Sequence, residues 1–516
     1  MKTLLPLPFL LLAFTLYSQP GQLDPLFGIN GMTITHFNGY SAEANSMALQ
    51  SDGKIVLAGI GTTDNDQDII ASRYLLDGQL DETFADNGQF TFSISSFRDR
   101  CYGVTVDDSD HIYFTGYTNS SNFQSKGFII KLDSNGSFDS TFAEDGVWVS
   151  ELPNTDEDFR EIIIQPDQKI LIAGETEILG EPEHATLIRL NQDGSLDTDF
   201  GTNGRASALV PNGYNPTFAA LNNDGTIVTG GFVLESNNTN TLLAKFDQDG
   251  NIDLSFGLDG VHVDTYAIEE FARSIAIQAD GKLLIGTGSN GSTGRDFGMT
   301  RYTQNGLLDI DFAEFGRVTT DILSVSNTAH SILIQEDGKI ILSGFLGITP
   351  NHDYAIARYE ANGDLDESFG FGGKVITDTG MDDLSFTSAL QEDGKLLCAG
   401  NTKNNSGESS FSIARYFTKM ETATNNIPVE IADFEIFPNP TNNLFTISYF
   451  LKKTTNVSIE LLSPIGQHLK SLLKDEKINQ GINTLEVDLS ENFTAGIYFI
   501  KIQSSTGAQL KKLVLE

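Results

Sequence analysis

"QSDGKIVLAG", residues 50–59, is written seven times in this chain of 516 residues. The other copies are "DDSDHIYFTG" at 107, "QPDQKILIAG" at 165, "NNDGTIVTGG" at 222, "QADGKLLIGT" at 278, "QEDGKIILSG" at 335 and "QEDGKLLCAG" at 391. A catalyst needs its chemistry once, whereas a scaffold needs its parts many times, so the phrase reads as architecture. Asp-Gly ahead of an apolar run is a hairpin signal, which makes the phrase a turn followed by a strand. The pair predicts a two-residue type I′ turn, with the aspartate chosen for its backbone preference and not for its carboxylate.

Two further phrases recur in fixed order around it. One is "LDxxF" with a glycine four residues on, from "LDPLFGING" at 23 to "LDESFGFGG" at 365; it places Asp24, Asp81, Asp139, Asp197, Asp253, Asp309 and Asp366 at intervals of 56–58 residues. The other is a basic residue, usually before an aromatic one: Arg73, Lys131, Arg189, Lys245, Arg301, Arg358 and Arg415. A fixed period of this length asks for a repeat architecture. Each unit reads as four short strands, and no segment between 20 and 420 carries a sustained helical period. The expected fold is all-β, a seven-bladed β-propeller. The first unit opens with only a fourth strand and the last stops at Tyr416 without one, so joining them completes blade seven and removes the open sheet edges. The seven basic residues match the seven aspartates and are expected to pair with them as structural ion pairs.

The units resemble the delta-sixty repeat, a bacterial β-propeller family with no assigned activity, through the "LDxxFG", "QxDGKIxxAG" and "ARYxxDG" phrases over residues 23–417. The resemblance implies the fold and supplies no catalytic residues. A polar stretch at 418–432 reads as a linker. Residues 433–516 then hold short alternating strands, expected to form a small Ig-like β-sandwich. This segment resembles the C-terminal sorting domain of cargo for type IX secretion, the outer-membrane export route of Bacteroidetes. The likeness rests on Phe437, Pro438, Asn439 and Pro440, on Gly496 and Tyr498 within "GIYFIKI", and on Lys511, Lys512, Leu513 and Val514. It implies the type IX secretion machinery as a partner, with the propeller released or attached to surface lipopolysaccharide. Residues 1–18, a lysine and then an apolar run, read as a secretory signal peptide for export to the periplasm. No other stretch approaches about 18 apolar residues, so no transmembrane segment is expected in the mature chain.

The net charge of −38 repels phosphate backbones and anionic membranes, which makes nucleic acid a poor partner. That charge is uneven: 61 of the 70 acidic residues, but only 24 of the 32 basic ones, precede Asp433. Cys101 and Cys398 lie at different places in their units and read as two isolated thiols.

One position does not repeat. Just before each innermost strand, alignment of the units gives Asn45, Tyr102, Arg160, Thr217, Arg273, His330 and Phe386. Innermost strands line a propeller's channel, so these residues are expected to ring one of its mouths. Such a mixture suits a polar or anionic ligand, or a sugar stacking on an aromatic face. Asp64, Asp66 and Asp68 in "DNDQD" are a candidate calcium loop. The stretch from Lys245 to Phe256 imitates an EF-hand, but a cation at its first position and no terminal glutamate make it a repeat turn. There is no GxSxG, no HExxH and no phosphate loop, and no catalytic residue, cofactor or other metal site is assigned. The function expected is a secreted or cell-surface propeller that binds a polysaccharide or protein ligand. The alternatives are a carbohydrate-active hydrolase or lyase with its site in the channel, and a purely structural surface protein.

Overall fold

The computed structural model describes residues 17–515 except 65, 121–123, 179–181, 212, 236–237, 266–268, 291–293, 349–350, 405, 423–430, 464–467, 490–492, 494–495 and 505–506. Residues 1–16 of the expected signal peptide and 423–430 of the expected linker lie outside that set. The chain forms two compact units, Leu23–Tyr416 and the remainder. All regular structure among the described residues is strand.

The first unit is a seven-bladed propeller of four-stranded antiparallel sheets. Blade one runs outward through Ser41–Leu49, Ile55–Thr62, Gln67–Tyr74 and Gln89–Phe92. The inner strands of blades two to seven are Asp99–Val106, Thr155–Ile164, Tyr214–Leu221, Glu270–Ile277, Asn327–Ile334 and Asp382–Leu390. Each inner strand packs against the next, and that of blade seven against that of blade one. The outer strand of blade seven is Met32–Thr35, paired antiparallel to Ser409–Tyr416 with Thr33 opposite Ile413. The ring therefore closes by the strand exchange expected from the sequence.

The apolar run of the repeated phrase is continuous because its strand is buried on both faces. Ile55 and Leu57 pack towards blade seven with Leu397 and Ile413, while Val56 and Ala58 pack towards blade two with Ile112 and Phe114. Alternation along a strand sends successive side chains to opposite faces, so one run fills two inter-blade spaces.

The turn of that phrase departs from the expected type I′. Gly53 donates to the Gln50 carbonyl and Gln50 to the Lys54 carbonyl, which makes a three-residue loop with positive φ at Gly53 alone. Asp110 and Gln168 take the same left-handed place, φ 63° and 65°, in the two copies that lack the glycine. The aspartate is there for its carboxylate after all: Asp52, Asp167, Asp224, Asp280, Asp337 and Asp393 each accept the N–H two residues on.

All seven expected ion pairs form: Arg73–Asp81, Lys131–Asp139, Arg189–Asp197, Lys245–Asp253, Arg301–Asp309, Arg358–Asp366 and Arg415–Asp24. Six join residues eight apart, and the seventh spans the closure of the ring. The phrase supplies two more members that sequence reasoning missed. Its lysine reaches the same aspartate, as in Lys169–Asp197 at 2.9 Å and Lys339–Asp366 at 3.0 Å. Its glutamine accepts from the arginine, as Gln50 does from Arg73 at 3.2 Å. The same arginines donate to a carbonyl of the next blade, Arg73 to Ser134 and Arg189 to Gln248, and stack on the phenylalanine of "LDxxF". Through these bonds the arginines tie one blade to the next.

In the second unit, Ile431–Phe437, Leu444–Leu451 and Gly481–Asp488 form one sheet. His468–Ile478, Thr455–Leu462, Gly496–Ser504 and Gly507–Leu515 form the other. Alternate residues of both, among them Ile447, Tyr449, Ile459, Leu461, Ile500 and Leu513, share one core, which makes the module a β-sandwich. Asn439, between Pro438 and Pro440, donates to the Lys512 carbonyl at 2.6 Å and accepts from the Val514 N–H at 2.9 Å. The two ends of the sorting motif therefore meet. Leu513 is buried, Phe437 is exposed, Lys511 lies 5.8 Å from the Phe434 ring, Gly496 pairs with Leu515, and Tyr498 sits edge-on to Phe493. Tyr17–Ser18 pairs with Glu421–Thr422 in the same unit. Cys101 and Cys398, in the propeller, are buried free thiols.

Candidate functional site

Asn45, Tyr102, Arg160, Thr217, Arg273, His330 and Phe386 all lie within the inner strands, not before them, and each is the unpaired residue of a β-bulge. In blade one the ladder passes from Ala44–Gly59 to Ser46–Ala58 and skips Asn45; the other six inner strands skip the corresponding residue. A bulge adds one residue to one strand and re-aims its side chain. Here seven bulges aim seven side chains at one cavity of about 210 Å³ in the middle of the ring.

The last residue of the repeated phrase makes room for the bulge. A Cβ on Gly59, Gly116, Gly174, Gly231, Gly344 or Gly400 would collide with the carbonyl oxygen of Glu43, Arg100, Asp158, Asn215, Thr328 or Leu384, each just ahead of the bulge. Only blade five carries a side chain there, Thr287, hydrogen-bonded to Ser289 at 2.9 Å.

The seven side chains divide by what they do. Asn45 Nδ2 donates to the Cys101 carbonyl and Thr217 Oγ1 to the Ala272 carbonyl, both at 2.9 Å, so these two join neighbouring inner strands. Tyr102 and Arg160 form a stacked pair, with the guanidinium 4.6 Å from the ring centroid. Arg160 also bonds Asp158 at 2.7 Å. Burial works against the charge on Arg160, but Asp158 and then Tyr102 and Tyr117 overcome it and raise its pKa. His330 stacks on Phe345 at 5.1 Å and meets Phe386 edge-on. Burial first, then Arg273 and Arg295, push the His330 pKa down to about 3, so the ring is neutral. Arg273 lies 5.1 Å from the Phe232 ring centroid, and its buried Nε has no hydrogen-bond partner among the described residues. Burial, then Arg160 and Arg295, bring its pKa down to about 10.

Glu161 and Glu175, absent from the sequence reading, belong to this region. Burial raises Glu161 to about 7, slightly opposed by the Ile162 N–H. Burial, then Asp158 and Glu183, raise Glu175 to about 8. The signal for Glu161 was present: its column in the repeat otherwise reads Ser46, Gly103, Phe218, Ser274, Ser331 and Thr387. Of the candidate calcium residues, Asp64 is exposed and Asp66 accepts the Gln67 N–H, while buried Asp68 accepts the Tyr40 hydroxyl at 2.8 Å. Asn65 lies outside the described residues, and no metal-like group of three or more acids, histidines or cysteines occurs among the described ones.

Seven stretches, 50–84, 109–142, 165–200, 223–256, 278–312, 335–369 and 391–418, match the family described as "Domain of unknown function (DUF5122) beta-propeller". Residues 92–124 match a "Beta-propeller repeat", and 435–516 match a "Secretion system C-terminal sorting domain". No curated protein matches the sequence. Among solved structures, the polysaccharide lyase Uly1 is 10% identical with a TM-score of 0.45, over 78% of this chain and 97% of that one. An ulvan lyase bound to -[GlcA(1-4)Rha3S]- is 12% identical with a TM-score of 0.44, over 75% and 97%. A protein of unknown function from Dyadobacter fermentans is 12% identical with a TM-score of 0.38, over 76% and 98%. Likenesses this distant do not bear on activity.

Proposed function

We propose, on the premise that residues 50–418 belong to the DUF5122 β-propeller family and 435–516 are a secretion-system sorting domain, that this is an exported ligand-binding propeller whose site is the central cavity. The sorting domain supports export by type IX secretion, with the propeller released or held at the cell surface. The observation that carries the binding reading is the seven bulges. A framework whose turns, ion pairs and apolar runs repeat turns its bulged, non-repeating position into the cavity wall. Aromatic faces and cations with few polar partners are what a binding site needs and a structural plug does not.

A second reading, a carbohydrate-active hydrolase or lyase, draws on Glu161 and Glu175. Carboxyls raised to about 7 and 8, the second of them near the Arg160 guanidinium and the Tyr214 phenol, have the acid–base character such chemistry uses. One experiment addresses both. The purified chain is screened against polysaccharides and peptides, with and without calcium, and products are followed during the screen. A hit that Arg160→Ala abolishes supports binding at the cavity. Product release that Glu175→Gln abolishes favours the enzyme. A folded sample that binds nothing removes both and leaves a structural role.

A further inference from the structure

The arginines of this chain have partners almost without exception. Eight of the 12 make ion pairs: Arg73, Arg160, Arg189, Arg205, Arg301, Arg317, Arg358 and Arg415. Arg100 donates to Gln67 Oε1 at 2.8 Å, and Arg98 is exposed. Arg273 and Arg295 remain, both partly buried and both in blade five, with no carboxylate partner among the described residues. In a chain of net charge −38, a carboxylate would have been easy to supply. Instead the two guanidiniums lie on two phenylalanines, Arg273 on Phe232 at 5.1 Å and Arg295 on Phe271 at 3.7 Å, and those rings meet edge-on at 5.4 Å. Stacking holds a guanidinium in place through its faces and leaves its in-plane N–H donors for another group. Arg273 and the neutral His330 line the cavity, and Arg295, which does not line it, is close enough to lower the pKa of both.

Arg160, the other arginine of the cavity wall, is already paired with Asp158. Arg273 is therefore the cation of the cavity wall that lacks an anion among the described residues. Tyr102 and Phe386 add aromatic surface. The cavity, about 210 Å³, is below the roughly 300–1,000 Å³ of sites for drug-sized ligands, which limits it to about one ring-sized unit.

We propose that the cavity takes one unit of an acidic saccharide, with its carboxylate or sulfate seated on the Arg273 guanidinium and its ring against the Tyr102 and Phe386 side chains that line the same cavity. This rests on reading the cavity as a binding site. Arg295 adds long-range charge without touching the ligand and is a positioning residue.

The test is titration calorimetry on the full chain with three probes of equal length: trigalacturonate for a carboxylate, a sulfated galactotriose for a sulfate, and maltotriose as the neutral control. At least one acidic probe binds and maltotriose does not; the arm that binds identifies the anion. Arg273→Gln weakens that binding by about tenfold or more, Arg273→Lys recovers part of it, and added salt weakens the wild type. Arg295→Gln, off the cavity wall, weakens it several-fold at an unchanged melting temperature and serves if Arg273→Gln does not fold. Maltotriose binding equal to the acidic probes, or Arg273→Gln binding at wild-type strength, overturns the anion seat while leaving a binding cavity. If no saccharide binds to folded wild type, the seat falls, and the binding reading is decided separately by the peptides of the wider screen.

Discussion

Asp366 accepts from Arg358, Lys339 and the Ser368 hydroxyl, with its own side chain and that of Arg358 almost fully buried. Removing one member of such a cluster strands the others without a counter-charge, which costs more than the pair itself contributes. Asp366→Ala is expected to lose about 3–5 kcal/mol in denaturant unfolding. The same clusters set the acid limit. Burial pushes these carboxyls up, but Ser368, Lys339 and Arg358 hold Asp366 at about 2, as Lys131 and Thr141 hold Asp139. Their folded values lie below the unfolded value near 3.9, so this stability is complete above about pH 4 and is lost as pH falls towards 2, about 2 kcal/mol for each. Glu175 has the opposite sign. Its raised value favours the folded state at low pH, and that contribution is lost as pH rises through about 8. Glu175→Gln should therefore raise the melting temperature at pH 9 and leave it nearly unchanged at pH 5.

Among the elements, the inner strand with its bulge is the one that carries specificity, and its opposing glycine is the test of it. Gly174→Ala would drive a methyl group into the Asp158 carbonyl and is expected to cost about 3 kcal/mol, read by thermal unfolding. The strands themselves were legible in the sequence because period-57 repetition and apolar runs are local signals. The bulge was not. An extra residue in a strand shows only when its partner's register is known, so Asn45 and its six counterparts read as lying before the strand. The three-residue turn was missed for a related reason: Asp-Gly suits type I′, and only the Gln50–Lys54 hydrogen bond reveals the longer loop. The unpaired state of Arg273 was beyond sequence altogether, since a missing counter-charge is a property of the assembled ring.

The whole ring depends on one strand. Deleting residues before Thr35 would strip the outer strand from blade seven and remove Asp24 from Arg415 and Lys395. Light scattering should then show aggregation, because an unpaired edge is a template for other chains. The pairing also has a timetable. Thr33 has no partner until Ile413 has been made, 380 residues later, which at ordinary synthesis rates of about 5–20 residues per second is roughly 20–80 s. Through that interval every earlier blade can have its four strands while the circle stays open. Two unfinished chains that meet in that time can each lend the other its first strand, giving a pair of rings latched through one another's ends. Crowding of newly made chains, more than any weakness of the finished ring, is where its assembly is exposed to error.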